Sequence, residues 1–186
     1  LWAQGIAAGY KFDVEIDEPD VSPLQVQGPD STKLMSKVFG DWVNDLGFYK
    51  FKQVTHQGIP MVIARMGYSR ELCYELFLQD GSKGNELWEL LWEAGQDFNI
   101  SAGGPNIILR LEGGILSYLA DIDRSNNPYE VGLDWLVDLE QEDDFIGKEA
   151  LSLIRQNGPT KKLLGAEIHG DPIEDSNADH WPVFIN

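Results

Sequence analysis

The residues able to do chemistry fall in a few short segments. In Arg65-Met66-Gly67-Tyr68-Ser69-Arg70-Glu71-Leu72-Cys73-Tyr74-Glu75 a strand pattern ends, a glycine-containing loop follows, and a second strand pattern begins. Glu71 falls in the loop. A carboxylate there can accept two hydrogen bonds from adjacent N–H groups of a planar heterocycle, and the 2-amino and N3–H groups of a pterin are such a pair. Ionisation strengthens both bonds. The same glutamate also reads as a solvated surface residue, or as a partner of Arg65 or Arg70. Further along, Gly104-Pro105-Asn106-Ile107-Ile108-Leu109-Arg110-Leu111-Glu112-Gly113-Gly114 precedes Ser117-Tyr118. On a helix Asn106 and Arg110 share a face, and the Gly113-Gly114 pair permits a kink or a close backbone approach. Arg110 and Glu112 equally read as members of structural ion pairs. Tyr129 and Trp135 stand near turn residues. Their rings can stack on a heterocycle or attract a substrate cation, although a strand tryptophan also serves as core.

Several classes of chemistry are disfavoured. Cys73 is the single cysteine, so no intrachain disulfide can form, which fits a reducing cytoplasm. His56, His169 and His180 lie far apart, and none has metal-ligand spacing with Cys73, so no metal is expected. The net charge of -17 repels polyanions and argues against a nucleic-acid role. No apolar run is long enough to span a membrane. Leu1-Trp2-Ala3-Gln4-Gly5 lacks the basic start of a signal peptide and an initiator Met, so residues are expected to be missing upstream.

The elements that must position these residues follow from periodicity. Lys11–Ile16 alternates as a half-buried strand does, and Leu24–Gln27 is a second short strand stopped by Gly28-Pro29. Asp30 or Ser31 caps a helix carrying Leu34, Met35, Val38 and Phe39 and ended by Gly40. Phe51–Thr55 and Met61–Ala64 form a hairpin with Gln57-Gly58 at its turn, and Glu75–Leu78 extends the sheet. Asn85–Ala94 is a helix with Leu87, Leu90, Leu91 and Ala94 on one face. A further helix spans about Pro105 to Leu116, and Asp134–Leu139 reads as a strand. Gly147–Gln156 is helical, with Ala150, Leu151 and Ile154 inward. Lys162–Ile168 and Trp181–Ile185 are strand-like, and the chain stops inside that last pattern. Strands and helices mixed without regular alternation give an α+β class.

Five segments, in order, resemble the glycine-cleavage T-protein (aminomethyltransferase) family. Leu24-Gln25-Val26-Gln27-Gly28-Pro29 is similar to its L-Q-G-P turn, and Arg65–Glu75 to its R-x-G-Y-[ST]-x-E-x-x-[YFV]-E. Leu109–Gly114 is similar to L-R-L-E-x-G. Tyr118 and Asn127–Trp135 are similar to a tyrosine-containing link and P-x-E-x-G-L-x-W, and Asp144–Leu151 to D-F-I-G-K-x-A-L. Each motif is weak alone; their order makes them specific, and they cover essentially the whole chain. The family's aminomethyltransferases carry A-R-D before L-R-L-E-A-G, whereas Asn106 and Ile107 stand at the Arg and Asp positions here. That departure, with Glu112-Gly113-Gly114 and Asp20–Pro29, looks nearer the dimethylsulfoniopropionate demethylase-like branch. Arg70 and Cys73 also depart from the common pattern.

The resemblance implies a compact, ring-like, multi-domain fold with tetrahydrofolate bound in its middle. The chain would be the middle portion of it, with mixed or antiparallel sheets and packed helices. Residues 1–157 would be a folate-binding region lacking its N-terminal part, and 158–186 the start of a truncated C-terminal β domain. By the same resemblance Glu71 is the pterin-binding glutamate, Trp135 lies near the folate, and Tyr68 and Tyr118 are aromatic positions close to it. The family aspartate important to transfer belongs to the N-terminal part, and no residue here matches it, so the catalytic residues are not assigned. The implied reaction moves a methyl group from a small, dimethylsulfoniopropionate-like donor to tetrahydrofolate. Two alternatives stand beside it: aminomethyl transfer from a lipoyl carrier protein, and folate binding without catalysis or an inactive fragment.

Overall fold

The computed structural model describes residues 1–19, 21–104, 107–167 and 169–171. Contacts divide the chain into two units, Leu1–Ile115 and Leu116–Asn186.

The first unit opens with helix α1 (Trp2–Tyr10). Lys11 takes the left-handed conformation at φ 56°, and the N–H groups of Lys11 and Phe12 donate back to Ala8 and Ala7. That pattern satisfies the last carbonyls and ends a helix sharply. The strand expected over Lys11–Ile16 does not form: the stretch is irregular, and Phe12 stacks on Tyr10 with ring centroids 5.6 Å apart. Alternation makes a strand only where a neighbouring edge can pair with it.

Strand β1 (Ser22–Gln27) leads into helix α2 (Ser31–Phe39), with Asp30 as N-cap. Strands β2 (Phe51–His56), β3 (Ile59–Ala64) and β4 (Cys73–Leu78) follow, then helix α3 (Gly84–Gly95) and helix α4 (Ile107–Glu112). Gln57 and Gly58 both take positive φ, 50° and 79°, which is the twist a tight β2–β3 turn demands. Among the described residues the strands form one antiparallel sheet in the order β1-β4-β3-β2. The Gly28 N–H donates to Leu72 O. In this register Leu24 and Val26 therefore bond to β4, while Gln25 and Gln27 turn their backbone polar groups to the outer edge, which no other described strand pairs. Pro23 also faces that edge, where its missing N–H costs nothing.

The core lies between one sheet face and the helices. Ile59, Met61, Ile63, Tyr74, Leu76 and Leu78 supply the sheet side. Leu34, Met35 and Phe39 of α2 and Leu87 and Leu91 of α3 supply the helix side. Each such buried side chain contributes roughly 1.5–3 kcal/mol. Strict alternation along β4 turns Cys73, Glu75 and Phe77 to the other face. Helix α4 is shorter than expected and ends at Gly113-Gly114. Its expected start at Pro105 and Asn106 lies outside the described residues.

In the second unit Asp134–Leu136 is a 3-10 turn, not the expected strand, and helix α5 spans Lys148–Asn157. Gly132, at φ 73°, and the turn hydrogen bonds around it favour a tight reversal over an extended chain. Leu151 and Ile154 of α5 are half-buried and Ala150 is exposed, so the expected inward face is only partly covered. Residues 162–167 are irregular, and the strand expected over Trp181–Ile185 lies outside the described residues.

Candidate functional site

The loop between β3 and β4 hangs on short, specific bonds. The Ser69 hydroxyl donates to Gln27 Oε1 at 3.0 Å and accepts from the Glu71 N–H at 3.3 Å. Leu72 O accepts from the Gly28 N–H at 2.9 Å and the Ser31 hydroxyl at 3.1 Å. The R-x-G-Y segment is thus tied to the turn that ends β1, which explains why the two motifs occur together. Gly67 is required by packing: a Cβ there would overlap Cys73 Sγ and crowd Gln25 Nε2 at 3.0 Å.

Glu71 is exposed, and among the described residues it has no ion-pair partner. Arg65 instead donates to Leu46 O at 3.3 Å. Glu71 lines a cavity of about 280 Å³ with Phe48, Arg65 and Met66. Tyr68, 37% exposed, lines a second cavity of about 750 Å³ that runs along the free edge of β1. The two residues share one loop but face different cavities. The larger cavity has hydrogen-bonding walls from Gln25, Gln27 and Glu75, and aromatic walls from Trp88, Trp92 and Phe98.

Glu75 was not among the expected site residues. Burial pushes its carboxyl above the usual glutamate range. Its signal in the sequence is a charge in mid-strand between the buried Tyr74 and Leu76, which must point away from the core. Gln25 is its cross-strand neighbour and donates to Cys73 Sγ at 3.0 Å. Burial pushes the Cys73 thiol up to about 11, against a lesser opposing effect of the Gln25 hydrogen bond. At neutral pH it is an unreactive thiol.

Arg110 is 5% exposed, and its guanidinium donates to Ile115 O at 2.8 Å, closing the end of α4 over the glycine pair. In the second unit Tyr118 is exposed and bridges Ile122, and Trp135 is 73% exposed on its 3-10 turn. The turn before Trp135 is a reciprocal cap: Asn127 Oδ1 accepts from the N–H groups of Tyr129 and Glu130, and Glu130 Oε2 accepts from the Asn127 N–H at 3.3 Å. The Glu130 carbonyl also accepts from the Leu163 N–H at 2.7 Å, and Lys161 Nζ lies 3.8 Å from its carboxylate. The P-x-E-x-G-L-x-W motif is therefore, at Glu130, a folding device. Among the described residues no group of three or more His, Cys, Asp or Glu side chains could hold a metal ion. No described helix is long and apolar enough to cross a membrane.

The fold is α+β, with a cleft of about 750 Å³ along the margin of an antiparallel sheet. The chain belongs to the family of the GCVT N-terminal domain, whose model matches residues 2–141, more than half of the sequence. It is 43% identical over 184 residues to the dimethylsulfoniopropionate demethylase DmdA of Ruegeria pomeroyi, covering 98% of this chain and 49% of that protein. It is 41% identical over 188 residues to an aminomethyltransferase of Halothermothrix orenii, covering 96% and 52%. An aminomethyltransferase of Rubrobacter xylanophilus is 35% identical over 178 residues, covering 94% and 46%. The chain spans about half the length of these relatives.

Proposed function

We propose that this chain is part of a cytoplasmic, tetrahydrofolate-dependent one-carbon transferase and carries part of its folate site. The observation that carries the reading is the cavity of about 750 Å³ lined by Tyr68, Gln25, Gln27 and the buried-shifted carboxylate of Glu75. Convergent polar groups in an otherwise apolar cleft of this size suit a heterocyclic ligand. Bound tetrahydrofolate supplies the nucleophilic N5 that receives the one-carbon unit. A glutamate carboxylate accepts the paired N–H groups of the pterin, and Glu71 and Glu75 are the two candidates, on either side of one loop. Tyr68 lines that cavity and would wall the ring. Correct orientation alone can lower such a barrier by about 7–11 kcal/mol.

A small, dimethylsulfoniopropionate-like methyl donor is the favoured second substrate. The likeness to a demethylase supports it, as do Asn106 and Ile107 at positions where aminomethyltransferases of the family carry Arg and Asp. Aminomethyl transfer from a lipoyl carrier protein is the second reading, favoured by the nearly equal identity to an aminomethyltransferase. A domain boundary near residue 157, with β structure beyond it, belongs to the same proposal.

Calorimetric titration of the 186-residue chain with tetrahydrofolate tests the folate site. Saturable binding is expected, weakened at least tenfold, about 1.4 kcal/mol, by Glu75→Gln or by Glu71→Ala. The substitution that weakens it identifies the anchoring carboxylate. Absence of saturable binding would remove the folate site from this chain.

A further inference from the structure

We propose that Ser69 is a positioning residue for the Glu71 carboxylate, acting through a hydroxyl relay to Gln27 and without touching a ligand. The inference rests on the folate reading above and deepens it, and of the two candidate carboxylates it concerns Glu71. Residues 65–72 join β3 to β4, a connection longer than neighbouring antiparallel strands need for a tight turn. Such a loop is free to sample many conformations unless side chains tie it down. Three contacts do so here. Gly67 packs so close to Cys73 that no side chain fits between them. Leu72 O accepts from the Gly28 N–H at 2.9 Å and from the Ser31 hydroxyl at 3.1 Å, which fixes the residue after Glu71. Ser69 supplies the third tie, on the other side: its hydroxyl accepts from the Glu71 N–H at 3.3 Å and donates to Gln27 Oε1 at 3.0 Å. A hydroxyl carries one donor and two acceptor lone pairs, so it can make both bonds at once. Alanine can make neither, and threonine can make both.

Glu71 lies between the last two ties. Its backbone is held on both sides, while its side chain is exposed and has no ion-pair partner among the described residues. A carboxylate fixed through its backbone keeps its acceptor oxygens available to an incoming donor pair. Fixing it through Arg65 or Arg70 would occupy those oxygens, and Arg65 is engaged instead at Leu46 O. The relay contributes little to the fold. Ser69 is half-buried and Gln27 and Glu71 are exposed, so water replaces the bonds that a substitution removes. What the substitution removes is order in the loop, and a loop that must be immobilised on binding weakens affinity.

The test titrates tetrahydrofolate by calorimetry into the 186-residue chain, Ser69→Ala, Ser69→Thr, Glu71→Ala and the double variant Ser69→Ala/Glu71→Ala. Ser69→Ala is expected to weaken binding about tenfold, and Ser69→Thr to stay within about twofold of the wild type, with unchanged melting midpoints. In the Glu71→Ala background the alanine at 69 is expected to cost nothing further, because no carboxylate is left to position. The Glu71 amide is expected to exchange with solvent faster in Ser69→Ala than in the wild type. Wild-type affinity in Ser69→Ala overturns the proposal, as does a loss in Ser69→Thr as large as that in Ser69→Ala. An equal loss in the presence and absence of Glu71 also overturns it, since the hydroxyl then supports the loop and not the carboxylate. If Glu71→Ala or Glu75→Gln weakens tetrahydrofolate while Ser69→Ala does not, the folate site stands and the positioning role falls. If the wild type does not bind tetrahydrofolate, both fall.

Discussion

Cys73 sits two residues from Glu75 on the same strand face, under the loop that carries Tyr68 and Glu71. Its thiol keeps its proton to about pH 11 in the folded chain and to about 9 when unfolded. As pH rises the unfolded chain loses that proton first. The contribution to stability is whole below pH 9 and is lost between 9 and 11. Iodoacetamide at pH 8 should therefore label the native protein far more slowly than the protein in denaturant. Equal rates would mean that the strand face opens readily. Gly67 meets the same sulfur from the other side. Gly67→Ala should destabilise the chain by about 1–3 kcal/mol, read by denaturant melting, because the clashing Cys73 Cβ is fixed to its strand. At this scale the sequence named Tyr68 and Glu71 through a motif. It did not make Glu75 stand out, because that motif contains two glutamates and only the burial of Tyr74 and Leu76 separates their faces.

Elements were legible wherever the local pattern and the tertiary partner agreed. The β2–β3 hairpin announced itself through Gln57-Gly58, and α2 and α3 through periodic apolar residues. Where they disagreed, the partner decided. Lys11–Ile16 alternates correctly but pairs with no described strand, and Trp135 has a strand-forming type but lies in a capped turn. The Glu130 cap is the strongest local device of the second unit. Glu130→Ala removes the acceptor for the Asn127 N–H and the partner of Lys161, and a lost cap costs about 0.5–2 kcal/mol. Faster proteolysis after residue 127 and altered Trp135 emission are expected. Unchanged cleavage would show that the turn holds without it.

The two units differ in what holds them. The first buries apolar side chains between a sheet and helices. Among the described residues of the second, Glu130 alone is buried, and turn hydrogen bonds replace a core. The family was legible in the sequence because its motifs are loops and turns whose residues are fixed by backbone geometry, as at Gly67 and Glu130. The cavity was not, because α3, β1 and Phe98 meet only after folding, and Trp88 and Trp92 look in sequence like spare helix surface. Among the described residues no strand pairs the outer margin of β1, and an open edge of this kind can template the pairing of another chain. Ser22–Gln27 contains no charged residue, and Pro23 alone withholds a donor from an incoming strand. The net charge of -17 keeps copies apart in dilute buffer, but salt screens that repulsion beyond about 8 Å at physiological strength. A small molecule lodged in the adjoining cleft would take up the room a second chain needs, so occupancy is expected to raise colloidal stability.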